Sequence, residues 1–308
     1  MAYSDLMTPS GEGRERSPDA AIAALHSRVA EERRRAARAE SIAVSYEERI
    51  ARGPEHLRDL RARMAALHRR MEIRHTTSAL LNELHAGRLE VWMAGGRLAA
   101  PPAFMSTVTA AIGVPSATAT IRGRRPAAVV ASSSDAVARA AHDMEVTLGE
   151  GPALAAMAEA APVTVAEWAM AERWPLFGPA VGELGVRSVH AVPFRSAAVC
   201  LGTLCVYSQE PEVGDIIATA TGQIAEAVTH TVLLGGEDPD SGDGFPASQL
   251  FGAADYQPDV HQAAGVVAAQ CGCGIDDAED LLRARAFAEN RPLADMAAAV
   301  LRGEAHLR

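Results

Sequence analysis

Between residues 17 and 87 apolar positions recur every three or four residues. Ile22, Leu25, Val29, Ala36, Ala39, Ala43, Tyr46 and Ile50 fall on alternating steps, with Glu32 the one polar interruption. Leu57, Leu60, Met64, Leu67 and Met71 continue the spacing after Gly53-Pro54. This is the seam of a helical hairpin or coiled coil, and Pro54, which has no N–H to donate, suits a helix start rather than an interior. The seam can be buried by packing on its own chain or by dimerisation, and the spacing leaves both open. The run Glu31-Glu32-Arg33-Arg34-Arg35 reads first as a solvated helix face and only second as a patch touching RNA.

From residue 88 to 234 the pattern changes. Pro101-Pro102 and Gly113-Val114-Pro115 punctuate it, and the alternating segments SATATIRG and AAVVASSS predict strands. A helix over Asp135–Met144, the turn Gly149-Glu150-Gly151-Pro152 and a helix over Ala153–Ala160 follow. VRSVHAVPFR and CLGTLCVYSQ, separated by a short link of small residues, predict neighbouring antiparallel strands, and Asp215–Leu234 a closing helix. That order favours an α+β domain with one mixed or antiparallel sheet. A linker over 235–254 leads to a third region, 255–308, which the pattern divides into three short helices. Pro258 suits a first helical turn, Asp276 with Glu279 forms a capping box for the second helix, Asn290-Arg291-Pro292 starts the third and Gly303 ends it. The predicted inward stripes are Val260, Ala264, Val267 and Cys271; Ala278, Leu281, Leu282 and Ala286; and Leu293, Met296, Ala297, Val300 and Leu301. Residues 1–16, rich in charges and turn formers, are expected to be a disordered tail.

A chain of 308 residues suggests two or three domains, and 48% hydrophobic residues are enough to build real cores. No apolar run reaches the roughly 18 residues that a membrane span requires, and the amino end lacks the apolar stretch of a signal peptide, so a cytoplasmic location is expected. Four cysteines, Cys200, Cys205, Cys271 and Cys273, suit a reducing compartment rather than a disulfide framework. Lysine is absent. Residues 1–88 carry 16 Arg against 13 acidic residues, and 89–308 carry 13 against 26, giving +3 and −13. An acidic bulk of this kind excludes broad, nonspecific nucleic-acid binding.

Two stretches carry resemblances. LGEGPALAAMAEAAPVTVAEWAMAERWPLFGPAVGELGVRSVHAVPFRSAAVCLGTLCVYSQEP resembles a GAF domain of the kind found in actinobacterial regulators. The shared features are E-G-P before a helix, P-V-x-V, R-W-P-x-F, G-V-R-S-V-x-A-V-P and L-G-x-L. Ala153 stands where that family often has Cys, and Glu167 where it has Asp. The tail resembles an ANTAR domain, a three-helix RNA-binding module of transcription antiterminators. Ala263 and Gly265, then Ala278, Leu281, Leu282, Arg283 and Ala286, then Asn290, Arg291, Leu293 and Ala297 occupy its motif positions. Ala264 stands where the family frequently has lysine, and 255–308 holds 5 Arg against 9 acidic residues.

The fold class read from these features is α+β: an amino-terminal helical hairpin or coiled coil, a central GAF-like α/β sandwich and a carboxy-terminal three-helix ANTAR-like domain. The resemblances imply a cytoplasmic, signal-responsive regulator, a homodimer, that binds paired hairpin loops in nascent RNA and promotes antitermination. Arg283, Arg291, Arg285 and Arg302 are the candidate RNA contacts, since a guanidinium pairs with phosphate or a guanine edge and stacks on unpaired bases. Trp168, Trp174 and His190 are candidates for a small-molecule pocket in the GAF-like domain. His190 is also a candidate haem ligand, although a strand histidine is more often bonded within the fold, and the tryptophans suit anchors for a loop between Val165 and Phe177. No cofactor is specified. His261, Cys271 and Cys273 fall short of the four converging ligands of a zinc site, so no metal and no catalytic residue is assigned. Two rival readings stay open. One is a ligand-sensing or protein-interaction module with weakened or lost RNA binding, motivated by Ala264 and the acidic tail. The other is a thiol enzyme using Cys200 and Cys205, because some GAF proteins reduce methionine sulfoxide with cysteines.

Overall fold

The computed structural model describes residues 18–97, 100–122, 129–196, 199–230, 258–289 and 291–307, so the expected tail and linker lie outside the described residues. Helices α1 (Pro18–Arg52) and α2 (Arg58–Ala94) form a long antiparallel hairpin joined by Gly53, Pro54 and a single 3-10 turn at Glu55–Leu57. Glycine suits position 53, because an added Cβ would lie 2.6 Å from the Arg49 carbonyl oxygen, to which Arg61 Nη1 donates. The seam predicted on α1 is the inner face. Leu25, Val29, Glu32, Ala39 and Ala43 are buried. The polar interruption has partners on both helices: Glu32 Oε2 lies 2.7 Å from His75 Nδ1 across the hairpin, and Arg35 Nη1, one turn on along α1, donates to its other oxygen at 3.0 Å. A buried carboxylate is tolerable only with such partners.

On α2 the expected seam is not the buried one. Leu60 and Leu67 are 52% and 48% exposed. The buried face runs instead through Ala65, Ser78, Ala79, Leu81, Asn82 and Ala86. Small side chains let two helix axes approach closely, so the contact selects them over the larger apolar residues of the neighbouring stripe.

The central domain has one sheet of five antiparallel strands, β1 (Ser116–Arg122), β2 (Val129–Ser133), β3 (Val163–Val165), β4 (Ser188–Ser196) and β5 (Val199–Ser208), in the order β2-β1-β5-β4-β3. The expected pairing of the last two strands is present, with a register shift between Phe194 and Arg195. One face packs on α2, α3 (Phe104–Ile112) and α8 (Asp215–Val228) through Met105, Val108, Phe194, Leu204 and Ile224. The other packs on α4 (Ala136–Leu148), α5 (Pro152–Glu159), α6 (Glu167–Arg173) and α7 (Phe177–Glu183) through Ala138, Phe177, Val189, Cys205 and Tyr207. Leu25, Leu81 and Ala86 of the hairpin belong to the first of these cores, so the hairpin and the sheet share apolar interior.

The stretch expected as a loop between Val165 and Phe177 is helical. Gly178 permits α6 and α7 to meet, since a Cβ there would come within 2.7 Å of the Met170 backbone. The E-G-P motif has a local cause as well. Glu150 Oε1 accepts the backbone N–H groups of Leu176 (2.6 Å) and Phe177 (2.9 Å), and Pro152 opens α5 at the position where a missing N–H costs nothing.

Helices α9 (Pro258–Cys271), α10 (Ile275–Ala288) and α11 (Leu293–Leu301) form the carboxy-terminal domain. Its core is Val260, Ala263, Ala264, Val267, Ala278, Leu282, Ala286, Leu293, Met296, Ala297, Val300 and Leu307. Two members of the expected stripes turn outward, Leu281 at 39% and Leu301 at 36% exposure. Helix α10 begins two residues earlier than a capping box at Asp276 requires: the cap is Gly274, whose carbonyl accepts the Ala278 N–H at 3.0 Å. Gly303, at φ +73, ends α11 as expected.

Candidate nucleic-acid interface

Leu282 and Ala286 anchor α10 in the core, which places Arg283 and Arg285 on opposite flanks of its buried stripe. Arg283 is forked between two carboxylates, donating from Nη1 to Asp280 (2.6 Å) and from Nη2 to the buried Glu279 (3.2 Å). Arg285 pairs with Glu289 at 2.6 Å. Arg291, at the start of α11, reaches the other Glu289 oxygen (3.4 Å) and the Asp295 carbonyl (3.3 Å). Glu289 therefore gathers Arg285 and Arg291 at the α10–α11 junction. Arg302 stands apart at the end of α11, held by both oxygens of Glu304 at 2.9 and 2.8 Å. That bond raises the Arg302 pKa and lowers that of Glu304.

All four guanidinium groups keep one-third to over one-half of their side-chain surface open, from 34% at Arg283 to 56% at Arg302. Exposed pairs of this type contribute little to stability and exchange partners readily. A phosphate that displaced Asp280, Glu289 or Glu304 would break only exposed pairs, whereas Glu279 is buried and would lose a cation. Arg291 also lines, with Phe287 and Pro292, a cleft of about 420 Å³ whose opposite wall is Asp143, Met144 and Glu183 of the central domain.

Residues 248–301 match the ANTAR domain. ANTAR domains are RNA-binding antitermination modules, so residues 248–301 support a regulator of this kind. No curated protein matches the chain. Two motif positions of the ANTAR domain gain a physical account. Ala264 is fully buried in its core, so the methyl group there packs rather than facing a ligand. Gly265 faces open space and serves no close helix packing: nothing lies within 4 Å of where its Cβ would be.

Cys271 donates to the Leu307 carbonyl at 3.4 Å, and Cys271 and Cys273 both pack against the ANTAR core. The side chain of His261 lies outside the described residues. Among the described residues no cluster of three or more His, Cys, Asp or Glu side chains is arranged to hold a metal. No helix is long and apolar enough to cross a membrane.

The three pocket candidates of the central domain do not converge. Trp174 is buried below the sheet, edge-on to Phe177 at 5.8 Å, whereas Trp168 is 77% exposed on α6 and anchors nothing. His190 alternates with Val189 and Ala191 of that same core, so it points to the opposite face, where its Nδ1 lies 2.7 Å from Thr164 Oγ1 and burial lowers its pKa. Of the thiols, Cys205 is wholly buried, and burial pushes its pKa well up, which disfavours a thiolate. The β5 strand is irregular between the cysteines. Leu201 packs on the same face as Leu204 across the register shift, so strand parity does not relate Cys200 to Cys205.

What the sequence did not single out is a polar cluster under the sheet. Glu145 is fully buried, and its Oε1 accepts the Leu154 N–H at 2.8 Å while Oε2 has no partner. Desolvation raises its pKa to about 7. His142, one turn earlier on α4, is buried with Nδ1 unpartnered, and desolvation lowers its pKa to about 4. A carboxylate and an imidazole at helical spacing look like ordinary surface polarity until the helix face is known.

Proposed function

We propose that this protein is a signal-responsive regulator whose ANTAR domain binds hairpin loops in nascent RNA and promotes transcription antitermination. The match of residues 248–301 to the ANTAR domain carries this reading. It is supported by four partly exposed arginines, whose partners Asp280, Glu289 and Glu304 lie at the surface while Glu279, the second partner of Arg283, is buried. The central domain, whose motifs resemble GAF domains, acts as the sensor: a signal there shifts the placement of two ANTAR domains in a homodimer and hence whether paired loops are held together. The protein works by binding rather than by catalysis, in keeping with the buried, protonated Cys205.

Titration of a two-hairpin RNA against the full chain tests the proposal. Binding that weakens steeply with salt is expected, and a single hairpin should bind at least about a hundredfold more weakly because the second contact is intramolecular. Arg283→Ala and Arg291→Ala should each weaken binding by about tenfold. A second reading, a protein-interaction module with weakened RNA affinity, is favoured by the pairing of every candidate arginine with an acidic residue of its own domain. It wins if no salt-sensitive RNA binding is found.

A further inference from the structure

Helix α2 has three working faces. One meets α1, one meets the sheet core and α8, and the third is bare. Ile73, Thr77, Leu80, Leu84, Gly87 and Val91 lie on that third face at steps of four and three, a heptad spacing over about 27 Å of helix. Ile73 is 43% exposed, Leu80 45%, Leu84 37% and Val91 74%. Gly87 has nothing within 4 Å of where a Cβ would be, so a mid-helix glycine, which costs stability, serves no close contact among the described residues. We infer that this stripe is the contact between two copies of the chain, packed as a parallel, in-register helix pair.

The flanking charges point to a second copy and set its direction. Glu83 borders the stripe on the α1 side and Arg88 borders it on the sheet side, five residues further on. In a parallel pair each Glu83 faces the partner's Arg88, the pairing found across parallel coiled coils. Glu83 already accepts from Arg33 at 2.7 Å, yet half of its side chain remains exposed and open to a second cation. A two-fold axis along α2 puts both ANTAR domains at equivalent heights on one assembly, as simultaneous binding of paired loops requires.

This inference rests on the homodimer of the proposed function. Sedimentation of the full chain over a concentration series, without RNA, tests it. The wild-type chain should dimerise. Leu80→Glu with Leu84→Glu should raise the dimer Kd by at least about a hundredfold, with the far-ultraviolet circular dichroism unchanged because both residues are partly exposed. Glu83→Arg should weaken the dimer by about threefold, and adding Arg88→Glu should restore it, although the bond to Arg33 stays broken. A monomeric wild type, a dimer indifferent to the leucine changes, or a charge swap without recovery overturns the assigned interface. RNA titration of the same samples separates the two claims. RNA bound by a chain whose dimer ignores these changes sinks the interface alone, and an intact, responsive dimer that binds no RNA sinks the RNA reading alone.

Discussion

The central domain and the ANTAR domain handle charge in opposite ways. Under the sheet, Glu145 is sealed with one oxygen unpartnered, beside the bulky Phe177 and Tyr207. In the ANTAR domain five of the twelve core residues are alanine, and carboxylates, the buried Glu279 included, are paired with partly exposed arginines. A buried group without a counter-charge responds to pH, because only protonation removes its desolvation cost. A solvated pair responds to salt and to competing anions. The first arrangement suits a domain whose packing carries a signal, and the second suits a surface that must exchange carboxylate for phosphate.

Steric fit in the central domain should give the largest effect. A Cβ at Gly202 would lie 2.0 Å from the Thr120 carbonyl oxygen on the adjacent strand, so Gly202→Ala should cost about 3 kcal/mol or more in denaturant unfolding. A loss below 1 kcal/mol would show that β1 and β5 can separate locally.

The pH response of Glu145 comes next. The carboxyl ionises near pH 7 in the fold against 4.5 in the free residue, so its burial costs nothing below 4.5, costs more as pH rises towards 7, and is most costly above it. The full difference is about 3 kcal/mol, an order-of-magnitude figure. His142, near 4 against 6.5, acts in the opposite sense: its burial is free above 6.5 and increasingly costly as pH falls towards 4. The two costs cross near pH 5.5, and stability should be almost level between about pH 4.5 and 6.5 and fall on either side. Glu145→Gln should flatten the alkaline limb of the unfolding free energy and leave the acid limb, and an unchanged alkaline limb would refute the assignment.

Glu289 sharpens the comparison from the other side. Glu289→Gln releases Arg285 and Arg291 while changing ANTAR stability by less than about 0.5 kcal/mol. RNA binding should tighten by about threefold with a steeper salt dependence. The same substitution scheme has no counterpart at Glu145, where loss of charge should alter folding and leave the RNA affinity of the folded chain unchanged. The smallest effect is expected at Gly265. With open space at its Cβ position, Gly265→Ala should raise helix stability by up to about 1 kcal/mol, read as a higher melting temperature. A simultaneous fall in RNA affinity would show that the RNA backbone approaches this position.

Much of this organisation was legible beforehand. The α1 seam, including Glu32, the paired β4 and β5 strands, and the three carboxy-terminal helices follow from period and punctuation, because burial of one face imposes that period on any helix or strand. Less was legible at α2, where several apolar stripes compete and the alanine-rich one packs. The short helices α6 and α7 were hidden because seven residues give less than two turns of pattern. The pocket candidates did not converge, since the sequence does not say which face of the sheet His190 points to, and it hid the helix that carries Trp168 and ends at Trp174.

The sequence alone determined the long helices and the paired strands, which residues carry an ANTAR signature, and how unevenly charge is spread, since these depend on neighbours along the chain. Tertiary structure decided the rest: which stripe of α2 is left bare, that Glu145 and His142 lose water, that Ala264 is core, and that Glu289 gathers two arginines. Burial and pairing arise between segments distant in the chain, and a residue's chemistry follows from the water it loses and the partners it meets.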